Sequence, residues 1–135
     1  MSKRRKLMVK ELDRLYSLVI FYKFKGICEK CGEPVRLQSR ATHHIFKRGY
    51  LGTRWDISNG SLLHYECHSE FHNLSDSNER NETFYKDKRG DVLYYCLAKE
   101  SLILRHYSLS DLAQIGDMLS GELKNYKEEY NQEQV

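Results

Sequence analysis

Residues 28–32, CEKCG, and residues 63–72, LHYECHSEFH, concentrate the side chains that bind metals. The two-residue gap between Cys28 and Cys31 lets both thiolates reach one ion, and Gly32 permits a tight turn. The second stretch repeats this spacing between a histidine and a cysteine. The two half-sites predict a tetrahedral structural zinc site with these four ligands: Cys28, Cys31, His64 and Cys67.

Two other interpretations of the cysteines stay open. Cys96 could replace His64 as the fourth zinc ligand, or Cys28 and Cys31 could form a redox pair. The redox alternative is disfavoured because no βαβ pattern surrounds the pair. Cys96 is instead expected to be a small buried side chain among the aromatic and aliphatic residues 94–97.

Four of the six histidines form two groups: an adjacent pair, His43 and His44, and a spaced pair, His68 and His72. Residues four apart share one face of a helix, whereas adjacent residues of a strand point to opposite faces. One histidine of the adjacent pair can therefore join the spaced pair, while the other faces a substrate. Three neutral imidazoles leave open positions on a divalent cation, which predicts a catalytic metal site.

Periodicity predicts the regular elements of the first half. Apolar residues recur at three- and four-residue steps over residues 6–25, which indicates a helix that ends near Gly26. Residues 34–37 and 41–45 are expected to be short strands. Residues 66–73 are expected to form a short helix.

The remaining segments are less regular. Residues 47–59 contain glycines and predict a loop, and the polar residues 74–90 predict a surface connection. Residues 92–104 fit a helix or a strand. The last helix is clear, and either Ser108 or Ser110 could cap it.

Together these elements predict a single domain over residues 1–135 with three parts. A basic helix over residues 1–26 precedes a zinc-stapled core over residues 27–74, and a helical scaffold follows over residues 75–135. The predicted fold class is therefore α+β and mainly helical. The C-terminal helices could complete the core, form a homodimer or dock a protein partner.

Charge is distributed unevenly along the chain. Residues 1–54 contain 14 Lys and Arg against 4 Asp and Glu, whereas residues 55–135 contain 8 against 15. The basic half suggests a polyanionic partner, with nucleic acid ahead of a membrane surface; the alternative is mutual attraction of the halves. No apolar run or leader-like segment indicates a membrane or secreted protein, so a cytoplasmic location is expected.

The motifs resemble those of the HNH (ββα-metal) nucleases, whose name comes from the order histidine, asparagine, histidine. That order is found here as His44, Asn59 and His68, of which the last directly follows Cys67, and the resemblance covers about residues 28–72. Arg48 and the residues around Asn59 are similar to small phage HNH proteins. The paired histidines and the final His-x-x-x-His resemble colicin-type DNases.

This resemblance implies a small ββα-metal, treble-clef-like core and hydrolysis of DNA phosphodiesters to 5′-phosphate and 3′-hydroxyl ends. It implies that His44 is the general base and that Asn59 orients His44 or its loop. The resemblance also assigns one divalent metal to three ligands: His43, His68 and His72. Four basic residues around the motif are the expected phosphate contacts: Arg40, Lys47, Arg48 and Arg54.

Two residues depart from the family pattern. His43 stands where many members have aspartate, and His64 stands where zinc-stapled members usually have cysteine. Because an imidazole replaces an oxygen ligand, the catalytic ion could be Mg²⁺, Mn²⁺, Ni²⁺ or Zn²⁺. A one-residue slip of the strand would also exchange the roles of His43 and His44.

The sequence therefore predicts a metal-dependent HNH endonuclease that acts on DNA, of phage or mobile-element type, in the host cytoplasm. One alternative is a noncatalytic zinc-stapled DNA-binding module. Another is an RNA-directed HNH nuclease, which is disfavoured because no RNA-binding aromatic platform is recognisable.

Overall fold

The computed structural model describes the backbone of residues 1–73 and 77–134, and the side chains of residues 1–71 and 81–134. Within these ranges the fold is α+β and mainly helical, as predicted, with six α-helices and one two-stranded antiparallel sheet. The elements in chain order are α1 (Lys3–Lys23), β1 (Ala41–His44), α2 (Leu51–Arg54), β2 (Gly60–Leu63), α3 (Tyr65–Asn73), α4 (Ser77–Arg89), α5 (Asp91–Ser101) and α6 (Leu109–Glu133).

The predicted N-terminal helix is confirmed as α1, which begins earlier than expected because Ser2 caps it. The Ser2 hydroxyl accepts a hydrogen bond from the Arg5 backbone N–H at 3.1 Å. The helix ends before Gly26, whose φ of +71° suits a residue without a side chain. Its core face contains four side chains that are at most 3 % exposed: Leu12, Tyr16, Val19 and Ile20.

The long C-terminal helix α6 packs against α1 and supplies the other side of the larger hydrophobic core. Ser108 is its N-cap: the Ser108 side chain and the Asp111 carboxylate form reciprocal hydrogen bonds with the backbone. Leu112 and Leu119 are buried against α1. None of the described helices is long and apolar enough to cross a bilayer.

The sheet consists of β1 and β2 in antiparallel register. His43 pairs with Ser61, and His44 pairs with Gly60. The strand expected over residues 41–45 is confirmed by β1, whereas the strand expected over residues 34–37 is wrong. Pro34 makes only an isolated bridge because it has no N–H to continue a ladder, and a 3₁₀ turn begins at Leu37.

The segments between the strands and the last helix are more helical than the sequence suggested. The loop predicted over residues 47–59 contains α2 and a 3₁₀ turn over Ile57–Asn59. The helix predicted over residues 66–73 is confirmed by α3, and residues 92–104 contain the helix α5 rather than a strand.

The polar segment 74–90 is the largest error in the predicted secondary structure. Its described part is the helix α4, not a surface connection. Polar composition hid this helix, because among its described side chains, those of residues 81–89, Tyr85 alone is fully buried. Tyr85 packs against Phe71 of α3 and belongs to a second, smaller core with Leu63, Cys28 and Cys67.

Truncating Leu119 tests the contact between α1 and α6. Leu119→Ala is expected to lower the free energy of unfolding by about 2–5 kcal/mol, because the fully buried side chain leaves a cavity. The matched control is Met118→Ala, since Met118 is 44 % exposed on the same helix and its loss is expected to cost less than about 1 kcal/mol. Equal losses in urea unfolding of the two variants would contradict this packing.

Candidate metal centre and active site

Three cysteines from two distant segments meet beside the sheet. The sulfur atoms of Cys28, Cys31 and Cys67 all lie within 4.8 Å of one another. A tight turn holds the first two, because Gly32 adopts a φ of +75° and donates its N–H to the Cys28 carbonyl at 3.1 Å. Cys67 lies in the first turns of α3. This sulfur cluster matches the donor chemistry of a structural zinc site.

The electrostatics of the cluster favour a thiolate at Cys28 and oppose one at Cys67. Burial tends to raise the pKa of Cys28, but backbone N–H groups of Cys31, His64 and Lys30 outweigh it and leave this pKa below its ordinary value. Burial and the neighbouring sulfur atoms raise the pKa of Cys67. Because adjacent thiolates repel each other, a cation among them is what stabilises the fully deprotonated cluster.

His64 and Cys96, the two candidates for the fourth zinc ligand, lie at different places in the structure. His64 contributes its backbone N–H to the Cys28 sulfur, and its imidazole is not in the described cluster of mutually close ligand atoms. Its role as the fourth ligand stays a prediction. Cys96 is exposed on α5, so the expectation that it is buried is wrong; it points out of the helix bundle because Leu97 takes the core position.

The adjacent histidines of β1 face opposite sides of the sheet, as the alternation of a strand requires. His43 is 5 % exposed and faces α3 and α4. Its ring lies 5.7 Å from the ring of His68, edge to face, and its Nδ1 lies 2.9 Å from the Tyr85 hydroxyl. The structure therefore brings together two predicted ligands of the catalytic metal. The third, His72, lies in α3, but its side chain falls outside the described residues.

His44 faces α1, where its ring is partly buried. Its ring stacks on Tyr16 with 5.1 Å between centroids. Burial lowers the pKa of His44 despite a hydrogen bond to the backbone carbonyl of Arg54, which raises it. Within the described residues the buried Nε2 has no hydrogen-bond partner. A neutral imidazole held through one nitrogen can accept a proton at the other.

Asn59 holds the loop that follows β1. Its fully buried amide accepts a hydrogen bond from the Phe46 N–H at 2.9 Å and donates to the Phe46 carbonyl at 3.0 Å. It also donates to the Thr53 carbonyl at 3.1 Å. The amide therefore joins the end of β1 to α2, which carries the backbone carbonyl that contacts His44. This geometry fits the positioning role that the sequence suggested.

An open cleft of about 390 Å³ lies over the two strand histidines. Its lining includes both of them, His68, and the exposed basic side chains of Lys47 and Arg48. A second cleft of about 360 Å³ reaches His44 from the α1 side, and Arg48 also lines it. Two predicted phosphate contacts thus lie directly at the candidate active site.

The other two predicted phosphate contacts have partners within the protein. Arg54 forms a bidentate ion pair with Asp13, in which Nε lies 3.1 Å from Oδ1 and Nη2 lies 2.7 Å from Oδ2. Asp13 also accepts a hydrogen bond from the indole N–H of Trp55 at 3.0 Å. Arg40 donates to the Ser17 hydroxyl at 3.0 Å and lines the second cleft. Their role as phosphate contacts stays a prediction.

The sequence motif did not identify several residues of the site, because they lie outside it. Tyr16 and Asp13 come from α1, where their helical spacing indicated only core and surface positions. Tyr85 comes from α4. The single available signal was an adjacent aromatic pair, Phe84 and Tyr85, inside an otherwise polar stretch.

Two antiparallel strands followed by a helix, with cysteines at both ends, define a small ββα metal-binding core. Residues 28–74 match the family model of the HNH endonuclease, which supports a nuclease-type function and a nucleic acid substrate. No curated protein and no solved structure matches the chain significantly.

Removing one thiolate tests the cysteine cluster. Cys67→Ser is expected to weaken the thiolate-to-cobalt absorption of Co²⁺-loaded protein and to lower Tm, because only two of the three sulfurs remain to bind the ion. Cys96→Ser is the matched control, since this cysteine is exposed outside the cluster. The assignment is wrong if Cys67→Ser retains the cobalt spectrum and the Tm of the unaltered protein.

Proposed function

We propose that this protein is a metal-dependent HNH endonuclease that hydrolyses DNA phosphodiesters to 5′-phosphate and 3′-hydroxyl ends. The observation that carries the proposal is the arrangement of the strand histidines at one cleft. His43 lies beside His68, while the buried Nε2 of His44 lacks a hydrogen-bond partner in the described structure. The family match over residues 28–74 supports the same activity.

Each of the residues at the cleft has a separate role in the proposed reaction. His44 takes a proton from the attacking water, because burial keeps its imidazole neutral. Asn59 fixes the loop that orients it. Arg48 and Lys47 bind phosphates beside the scissile one, with Arg40 and Arg54 as further contacts.

Two metal sites complete the proposal. A structural Zn²⁺ is held by Cys28, Cys31 and Cys67, with His64 as the fourth ligand. One catalytic divalent ion is held by His43, His68 and His72, and when bound it stabilises the charge that develops on the phosphate and the leaving oxygen. Imidazole donors suit Zn²⁺, Ni²⁺ or Mn²⁺, while Mg²⁺ favours oxygen ligands.

The setting of the activity follows from the same resemblance. We propose a phage or mobile-element nuclease that works in the host cytoplasm as a single domain over residues 1–135. The C-terminal region offers a surface for a homodimer or a protein partner, since Leu102 and Leu104, in the link between α5 and α6, are 77 % and 90 % exposed.

Replacing the proposed base tests the chemistry. His44→Ala is expected to slow cleavage of supercoiled plasmid by roughly 10²- to 10⁴-fold, because no other group would take the proton from water. The assay supplies Mg²⁺, Mn²⁺, Ni²⁺ and Zn²⁺ in turn to protein whose cysteine cluster remains loaded. His106→Ala is the matched control, since His106 is exposed before α6.

The same assay separates the alternatives. Cleavage by His44→Ala at the normal rate would contradict the assignment of the base. No cleavage with any of the metals, by folded protein that still binds DNA, would favour the noncatalytic DNA-binding module. Preferential cleavage of an RNA of matched sequence would favour the RNA-directed nuclease.

Arg48 allows a test of phosphate binding. Arg48→Ala is expected to weaken DNA binding at all sequences and to reduce the slope of log K against log salt by about one, because one phosphate contact is lost. Lys124→Ala removes an equal charge from the exposed face of α6 and is expected to leave that slope unchanged. Fluorescence anisotropy at several salt concentrations makes the comparison, and equal slopes for the two variants would contradict the role of Arg48.

A further inference from the structure

Four exposed basic side chains form a stripe along one face of α1. They follow one another at steps of three and four residues, which place them on the same face of a helix: Lys3, Lys6, Lys10 and Arg14. The next residue of this series is Ser17, which lines the cleft on the α1 side of His44. The basic stripe therefore leads along the helix to that cleft.

Arg40 extends the positive charge of the basic stripe into the cleft. The Ser17 hydroxyl accepts a hydrogen bond from Nε of Arg40 at 3.0 Å and donates one to the Arg14 carbonyl at 2.9 Å. Burial, followed by the positive charge of Arg14, lowers the pKa of Arg40, so the two guanidinium groups lie close enough to repel each other. The exposed Arg48 lines the same cleft. An anion bound here would relieve the repulsion among these cations.

The carboxylates of α1 compensate little of this charge. Within the described residues, none of the three lysines of the basic stripe takes part in an ion pair. On α1, which is described over its whole length, Asp13 is the only carboxylate of the same face, and it is bound by Arg54. Arg14 pairs with Glu11, but both side chains are more than half exposed, so this weak pair leaves Arg14 accessible to a phosphate.

The stability of α1 does not explain the basic residues at its start. Residues 3–6 are all basic, and no acidic residue lies in the first turn. Cations near the N-terminus of a helix oppose the helix dipole and destabilise it, whereas acidic residues there are favourable. The Ser2 cap supplies the local stabilisation without any of these charges. A binding role accounts for charges that the helix itself disfavours.

We propose that the basic stripe binds the phosphate backbone of double-stranded DNA, so that the duplex extends along α1 from the cleft beside His44. This deepens the nuclease proposal and rests on its assignment of DNA as the substrate of that cleft. From Lys3 to Ser17 the helix rises by about 21 Å, which corresponds to about six base pairs of a duplex. The interface thereby includes α1, which lies outside residues 28–74 that match the family model.

A membrane surface fits the basic stripe less well than DNA does. A helix that lies on a membrane inserts a broad apolar face between the lipid headgroups. The apolar face of α1 is occupied within the protein, because it forms the larger hydrophobic core with α6 and β2. The stripe therefore offers charge without an apolar face beside it, which suits a polyanion.

Neutralising the three lysines tests the proposal. A variant that combines Lys3→Gln, Lys6→Gln and Lys10→Gln is expected to reduce the slope of log K against log salt for a DNA duplex by about two to three. The reason is that each phosphate contact contributes about 0.9 to this slope. Fluorescence anisotropy measures binding with the cysteine cluster loaded and no further divalent metal, so that the DNA is not cleaved.

The matched control removes the same charge from exposed positions of α5 and α6. It combines Lys99→Gln, Lys124→Gln and Lys127→Gln and is expected to leave the slope unchanged. The proposal is overturned if the stripe variant and this control have the same slope. It is also overturned if the stripe variant loses affinity for phosphatidylserine vesicles or for a matched RNA duplex while its affinity for DNA is unchanged.

Reversing the charge at the start of α1 separates a binding role from a structural one. Lys3→Glu combined with Lys6→Glu places carboxylates where the helix dipole favours them, so Tm is expected to stay constant or to rise. The affinity for DNA is expected to fall in the same variant. An unchanged affinity would overturn the proposal, and so would a loss of affinity that is accompanied by a lower Tm.

Failure of the nuclease proposal gives a different result. If the stripe variant has the smaller slope but the unaltered protein cleaves no nucleic acid, the role of the basic stripe is supported and the enzymatic activity is not. If the unaltered protein cleaves DNA but the slope of the stripe variant is unchanged, the nuclease proposal is supported and the role of the basic stripe is overturned.

Discussion

The antiparallel register of β1 and β2 is the constraint on which the site depends. Pairing of His43 with Ser61 and of His44 with Gly60 sends the two imidazoles to opposite sides of the sheet. A slip of one residue would reverse both directions. Packing constrains the position of β2, because a side chain at Gly60 would come within 2.5 Å of Ile20 and 2.7 Å of the Tyr16 hydroxyl. A slip of β2 that brought Ser61 to this position would meet that clash with α1.

The two sides of the sheet are completed by helices outside the ββα core. On one side, α1 supplies Tyr16, which stacks on His44 and donates to the Asp56 carbonyl at 2.7 Å. On the other side, α4 supplies Tyr85 beside His43. A core of two four-residue strands and one short helix buries little apolar surface by itself. The flanking helices therefore stabilise the core and position its histidines with the same contacts.

The sequence predicted those features whose partners are close in the chain. The two-residue gap between Cys28 and Cys31, a serine cap at the start of the last helix and the alternation of His43 and His44 are local patterns, and the structure has each of them. The sequence did not predict the contact of Tyr85 with His43, which is 42 positions away, or that of Arg89 with Glu29, which is 60 positions away. No local pattern encodes such contacts. The polar composition of α4 also concealed them, because a buried aromatic side chain and a buried ion pair dock the described part of this helix.

The count of charged residues along the chain also predicted less than the structure shows, because it does not reveal which charges pair with each other. The excess of basic residues over 1–54 indicated a polyanionic partner, yet several of these residues have carboxylate partners in the fold. Arg14 pairs with Glu11, Lys30 pairs with Glu70, and Arg54 pairs with Asp13 to fasten α2 onto α1. An internal ion pair of this kind reduces the charge available to a ligand. The basic residues left exposed at the cleft, Lys47 and Arg48, therefore set its local potential more than the count over residues 1–54 does.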